Sequence, residues 1–140
     1  MECRVSWLGA DGMAFSAETG SGHLINMDGA PEAGGRNLAP RPMELLLAGA
    51  GGCSAFDVVL ILQRSRQAIS GCNVTLQAER ANEDPKVFTK IHLHFQVKGK
   101  DLDQAKVDRA VKLSHEKYCS ATNMLAKTAE LTYSIEVIAE

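Results

Sequence analysis

The sequence has no Cys-x-x-Cys pair, no run of basic residues, no internal repeat and no low-complexity stretch. Without the paired cysteines, a structural zinc site has no framework, and no metal site is expected. With lysines and arginines scattered and a net charge of −2, there is no electrostatic footprint for nucleic acid. The N-terminal residues lack a basic segment followed by an apolar one, so no secretory signal is expected. The longest apolar segment is broken by glycines and soon meets Asp57, which argues against a membrane span. A cytoplasmic setting is therefore expected. Structural disulfides are uncommon there, which turns Cys3, Cys53, Cys72 and Cys119 toward packing or catalysis.

What is present is an ordinary soluble composition, 45% hydrophobic and 23% charged. At 140 residues the chain is expected to form one domain, residues 1–140, able to bury a real core. Short extended segments open it: Cys3–Leu8, then Met13–Ala17 after the turn at Gly9–Gly12, then His23–Met27 after Gly20–Gly22. Tight turns between short strands predict an antiparallel meander. A Gly- and Pro-rich loop over 28–42 follows, with Pro42 suited to a first helical position.

The pattern predicts a helix from about Met43 to Gln67, apolar nearly all round between Phe56 and Leu62, as in helices buried on most sides. Gly49, Gly51 and Gly52 weaken a helix by roughly 1 kcal/mol each relative to alanine. They predict either close backbone packing or a break just before Cys53. Further on, Val74, Leu76 and Ala78 alternate with polar residues. After the turn at Asn82–Pro85, so do Val87, Thr89, Ile91, Leu93, Phe95 and Val97, which predicts a long antiparallel hairpin. Asp103 is placed to cap a helix whose stripe is Val107, Ala110, Val111, Ser114 and Tyr118. A short helix from Ser120 to about Lys127 and a last strand carrying Leu131, Tyr133, Ile135 and Val137 complete the order. This is an α+β arrangement of antiparallel sheet packed on a long central helix. A helix apolar on every side is hard to cover within one such chain, so a homodimer is expected.

Two cysteines stand in distinctive surroundings. Cys53 reads either as a packed small hydrophobe or as a thiolate starting the second half of an interrupted helix, where amide groups lower its pKa. Cys119 lies where one helical stripe ends and another begins, again either a buried junction residue or a thiol facing a helix start. Cys3 and Cys72, at the starts of strands, read as structural. His92 and His94 form a pair on the polar face of a strand, with no third metal ligand at recognisable spacing; a solvated face is the simpler reading. His115 precedes Cys119 by one turn and either tunes it or sits at the surface. Arg36 and Arg41 lie in the loop feeding the central helix, and Glu44 in its first turn. They are either ordinary loop and dipole-complementing charges or, with an arginine held by a carboxylate, the partners of a thiolate.

The segment Pro42-Met43-Glu44-Leu45-Leu46-Leu47-Ala48-Gly49-Ala50-Gly51-Gly52-Cys53-Ser54-Ala55 resembles the central-helix motif of the OsmC/Ohr family (osmotically inducible protein C and organic hydroperoxide resistance proteins). Ser114-His115-Glu116-Lys117-Tyr118-Cys119-Ser120 resembles its second cysteine motif. Gly34-Gly35-Arg36-Asn37 with Arg41-Pro42-Met43-Glu44-Leu45 looks most like the YhfA-type branch.

The resemblance covers essentially the whole chain and implies an OsmC-like fold, an intertwined homodimer with central helices buried between subunits. It also implies a cofactor-free thiol peroxidase acting in oxidative stress, which reduces organic hydroperoxides or hydrogen peroxide. Cys53 would be the peroxidatic thiol, Cys119 the resolving thiol, and an external dithiol the reductant. Arg36 and Glu44 would be the activating pair. Here the chain departs from the family pattern: the family glutamate falls on Met43, and Glu44, one residue later, is turned by about 100° on a helix. The first hairpin turn also lacks the arginine of the Ohr branch. The same scaffold admits a non-catalytic alternative, a small-ligand-binding or redox-sensing member.

Overall fold

The structure is a computed structural model describing all residues, 1–140. Its contacts group into two compact units, Met1–Leu47 and Ala48–Glu140.

In the first unit, β1 (Cys3–Trp7), β2 (Phe15–Thr19) and β3 (Leu24–Met27) form the expected antiparallel meander in the order β1-β2-β3. The first turn is fastened by the Trp7 indole N–H, which donates to the Gly12 carbonyl at 2.9 Å. The Gly/Pro-rich loop after β3 is organised by a residue that composition did not single out. Asp28 is only 2% exposed, and its carboxylate accepts from the amides of Gly29 (2.8 Å), Arg36 (3.1 Å) and Leu38 (3.1 Å). The Leu38 amide above all holds this carboxyl below the usual aspartate range. Burial opposes it, while the Arg36 and Gly29 amides and the Arg36 charge assist. Short polar side chains that satisfy backbone donors in this way fix a loop lacking ladder hydrogen bonds of its own.

The long helix α1 spans Pro42–Arg64 without a break. Pro42 takes the first position, and Glu44 accepts from the Arg41 backbone N–H at 2.9 Å, half of a capping box. Of the two outcomes the glycines allowed, the break before Cys53 is absent and close packing accounts for one glycine. A Cβ on Gly51 would lie 2.7 Å from Leu76 Cδ1, whereas Gly49 and Gly52 face open space. Burial of α1 within the second unit is a stripe: Ala50, Gly51, Ser54, Val58 and Leu62 are buried, while Phe56 is 67% exposed. By length and composition α1 is apolar enough to cross a membrane, with a window of mean hydropathy 2.1. Asp57 and the glycines are too few to offset its Leu, Val, Ile and Ala content, so they exclude less than the sequence suggested.

In the second unit, β4 (Ala68–Arg80) and β5 (Phe88–Lys100) form the predicted antiparallel hairpin. Its register shifts twice, between Ile69 and Gly71 and between Glu79 and Arg80, and the second shift disturbs the alternation. Glu79 pairs with Lys90 but Arg80 with Phe88, leaving Thr89 as an extra residue on β5. A bulge of this kind reverses the inward and outward faces, so Phe88 is buried while Val87 and Thr89 are exposed.

The second sheet is mixed. β6 (Glu130–Ala139) runs parallel to β5, a correction to the antiparallel expectation. Parallel neighbours require a long crossover, here supplied by α2 (Gln104–Leu113), a π-helical turn (Ser114–Tyr118) and α3 (Ser120–Leu125). Asp103 caps α2 as predicted, accepting from the Ala105 amide at 2.9 Å. Val58, Leu62, Ile91, Leu93, Val97, Val107 and Val111 are all nearly or fully buried and form the core. Each large aliphatic side chain so buried contributes about 1.5–3 kcal/mol.

Candidate active site

Two elements of the second unit deliver the site. α1 presents Cys53 and Ser54 in consecutive positions, Cys53 half-buried and Ser54 2% exposed. The crossover presents Cys119 through its π turn. An α-helix stacks residues i and i+4, which led the sequence to place Tyr118 on the inward stripe beyond Ser114. The π turn adds one residue, so the Cys119 N–H bonds the Ser114 carbonyl at 2.9 Å. The inward position then falls to Cys119, which has no exposed surface, and Tyr118 is half-exposed. Single π turns inside helices are uncommon and frequent at functional sites.

The sulfur of Cys119 is held by two donors. The Ser54 hydroxyl donates to it at 3.3 Å, and the Thr122 backbone N–H at 3.4 Å. Cys119 thereby caps α3, in agreement with its predicted place at a helix start. Cys53 completes the cluster: it lies close enough to Cys119 for each thiol to shift the other's ionisation, and the Ala121 amide also acts on Cys53.

The consequences for the two thiols are opposite. Burial pushes Cys119 up, but the Ser54 hydroxyl, Thr122 and the Cys53 thiol outweigh it, and Cys119 lies below the ordinary cysteine value. Burial is the main cause that pushes Cys53 up. The Ala121 amide opposes this, and the Cys119 hydrogen bond, the Cys119 charge and the Asp57 charge add to it. The expected activation of Cys53 by a helix start is therefore not present: the residue is mid-helix, where amides are already spent on the helix ladder. The pair is therefore unequal, with Cys119 the more readily ionised of the two.

Around the sulfurs lies a polar support. Ser114, fully buried, donates to the Asp57 carboxylate at 3.0 Å. Ser54, Asp57, Ser114 and Thr122 escaped the sequence reading. The available signal was polar residues on otherwise apolar stripes: Ser54 and Asp57 on α1, Ser114 on α2's inward face. Buried polar groups of this kind require partners, and each finds one here.

The remaining candidates lie elsewhere. Arg36 uses its guanidinium on the Asp11 carbonyl and its amide on Asp28, and Glu44 is engaged in capping α1. All of these partners are within the first unit. His115 packs its ring edgewise on Tyr133, with centroids 4.9 Å apart. His92 bonds the hydroxyls of Thr132 (2.7 Å) and Ser134 (2.9 Å), and His94 bonds Ser134 (2.8 Å), a polar ladder across β5 and β6. No three His, Cys, Asp or Glu side chains converge as a metal site. Cys3 is exposed and Cys72 half-buried, each apart from another cysteine.

Comparison with known proteins adds four findings. Residues 34–134 match the family model described as OsmC-like protein. The chain is 52% identical to Protein YhfA of Escherichia coli strain K12 over 139 residues, 99% of each chain. It superposes on the crystal structure of a hypothetical protein from Aquifex aeolicus with a TM-score of 0.84 at 31% identity, over 99% of this chain and 96% of that one. An organic hydroperoxide resistance protein OsmC from Legionella pneumophila shares the fold at a TM-score of 0.68 and 18% identity, over 97% of both chains.

Proposed function

The chain belongs to the OsmC-like protein family, and from that membership we propose that it is a thiol-dependent peroxidase reducing organic hydroperoxides or hydrogen peroxide. The observation that carries this reading is the clustering of Cys53 with Cys119, the first half-buried and the second sealed. Accessibility assigns the roles. Cys53, half-buried, meets the peroxide; Cys119, without exposed surface, meets only Cys53.

In the first step the Cys53 sulfur attacks one peroxide oxygen and the O–O bond breaks. Cys53 becomes a sulfenic acid, and its proton ends on the departing alkoxide, giving the alcohol (water, from hydrogen peroxide). The Cys119 thiolate then attacks the Cys53 sulfur. Hydroxide leaves and takes a solvent proton, and a disulfide remains. An external dithiol reduces it by thiol–disulfide exchange. Arg36 and Glu44 remain candidates for positioning the peroxide, with no role needed in the disulfide step.

A homodimer fits this reading. Phe56 on α1 and Trp7, Leu24 and Val5 on the meander are all more than half exposed, an apolar complement that a second copy would cover. A reducing, cytoplasmic setting fits four free cysteines.

The test is turnover of cumene hydroperoxide or hydrogen peroxide in a dithiol-coupled assay, with Cys53→Ser as control. Wild-type turnover that Cys53→Ser abolishes supports the proposal, as does a Cys53–Cys119 disulfide by mass spectrometry after one equivalent of peroxide. Absence of turnover with both peroxides sinks it and leaves the non-catalytic, ligand-binding reading, which the capping role of Glu44 favours.

A further inference from the structure

We propose that Ser54 is a positioning residue for Cys119: its buried hydroxyl, together with the Thr122 amide, holds the Cys119 sulfur as a hydrogen-bond acceptor, ready to attack oxidised Cys53. The inference rests on the peroxidase reading for its chemistry, but the seat itself is a matter of geometry.

Ser54 follows Cys53 on an unbroken helix, so it faces a different direction from its neighbour by about 100°. Cys53 is thereby left partly exposed while Ser54 points inward, 2% exposed, with its hydroxyl 3.3 Å from the Cys119 sulfur. From the other side the Thr122 amide donates at 3.4 Å. A hydroxyl that has accepted no alternative role and an amide that can only donate both favour a sulfur carrying charge. Alanine at 54 would remove one of the two fixed donors from a site with no exposed surface and no bulk water to replace it.

The chemical consequence is a choice between two fates of the Cys53 sulfenic acid. Attack by the Cys119 thiolate forms the S–S bond and expels hydroxide. Attack on a second hydroperoxide instead oxidises Cys53 to sulfinic acid and releases a second alcohol, which is irreversible for the thiol. A Cys119 kept as thiolate favours the first fate, because the thiolate is the attacking species.

Within four residues of Cys53 or Cys119 along the chain, the other titratable groups are Asp57 of α1 and, in the π turn, His115, Glu116, Lys117 and Tyr118. Asp57 is bonded to Ser114 and the His115 ring lies on Tyr133; Glu116, Lys117 and Tyr118 are exposed. Among these elements it is the Ser54 hydroxyl that donates to the Cys119 sulfur, at 3.3 Å.

The test compares wild type, Ser54→Ala and Ser54→Thr, all carrying Cys3→Ser and Cys72→Ser. Thiolate absorbance near 240 nm is titrated with pH, and the Cys53–Cys119 disulfide and Cys53 sulfinic acid are quantified by mass spectrometry after peroxide. In Ser54→Ala the first thiolate titrates at higher pH, and sulfinic acid rises several-fold at neutral pH, a deficit that shrinks as pH is raised. Ser54→Thr, which keeps a hydroxyl, recovers the wild-type profile. An unchanged titration in Ser54→Ala overturns the inference, as does an unchanged disulfide-to-sulfinic ratio. If the titration shifts while wild type consumes no peroxide, the seat stands and the peroxidase reading falls.

Discussion

The Cys119 backbone N–H reaches the Ser114 carbonyl across 2.9 Å, a step of five residues where an α-helix takes four. That single extra residue exchanges Tyr118 for Cys119 on the inward face and brings the second sulfur to the first. Removing Lys117, exposed in the middle of this turn, would return Cys119 to four-residue spacing from Ser114. The expected outcome is a tighter turn with Cys119 still inward and a Cys53–Cys119 disulfide still formed by peroxide. Loss of the disulfide in a chain that unfolds at the wild-type temperature would show that the wide turn itself aims the sulfur.

Asp57 adds to the upward push on Cys53, behind burial and Cys119. Asp57→Asn therefore moves the pH midpoint for Cys53 alkylation by iodoacetamide downward, in a chain with Cys3 and Cys72 replaced by serine. The direction follows from the charge: a neighbouring carboxylate disfavours a second anion. A midpoint that stays in place would mean that Asp57 serves only Ser114.

Gly51 and Leu76 share one space. A methyl at position 51 falls 2.7 Å from Leu76 Cδ1, and crowding a packed site costs about 1–3 kcal/mol, against a helix-propensity gain of roughly 1 kcal/mol. Gly51→Ala is expected to lose stability in the wild-type background and to lose less, or gain, when combined with Leu76→Ala. Urea denaturation of all four chains gives the coupling directly, and strict additivity would contradict the contact.

Asp28 links loop structure to acid stability. Its folded pKa lies below the ordinary aspartate value because three amides donate to the carboxylate, led by Leu38. The unfolded chain therefore binds this proton first as pH falls. The stabilisation is fully present above the ordinary aspartate pKa and is lost as pH drops through the lower folded value. Asp28→Asn should show a lower Tm at neutral pH, with the gap from wild type narrowing in acid. A gap independent of pH would contradict the linkage.

Local chemistry made much of this legible. Asp103 caps its helix because its side chain reaches a backbone amide two residues on, an interaction that needs no tertiary context. The meander follows from Gly-rich turns, and the β4–β5 hairpin from period-two alternation. Cys53 and Cys119 stood out through their neighbouring residues. The polar contacts around them did not, because Ser54, Ser114 and Thr122 are ordinary helix residues until their partners are known.

The amino-acid sequence by itself determined the order of elements, the apolar character of α1 and the two cysteines in their motifs, since these depend on residues near one another along the chain. Tertiary structure decided the rest. Pairing across the sheet placed the Thr89 bulge and turned Phe88 inward, and the crossover set β6 parallel to β5. The π turn put Cys119 where a regular helix would put Tyr118. Above all, packing made the two thiols unequal: the donors on Cys119 come from Ser54, distant in sequence, and from Thr122 in the next helix. Burial and hydrogen-bond donors from other segments, neither of which is a property of a cysteine in its own segment, left Cys119 more readily ionised than Cys53.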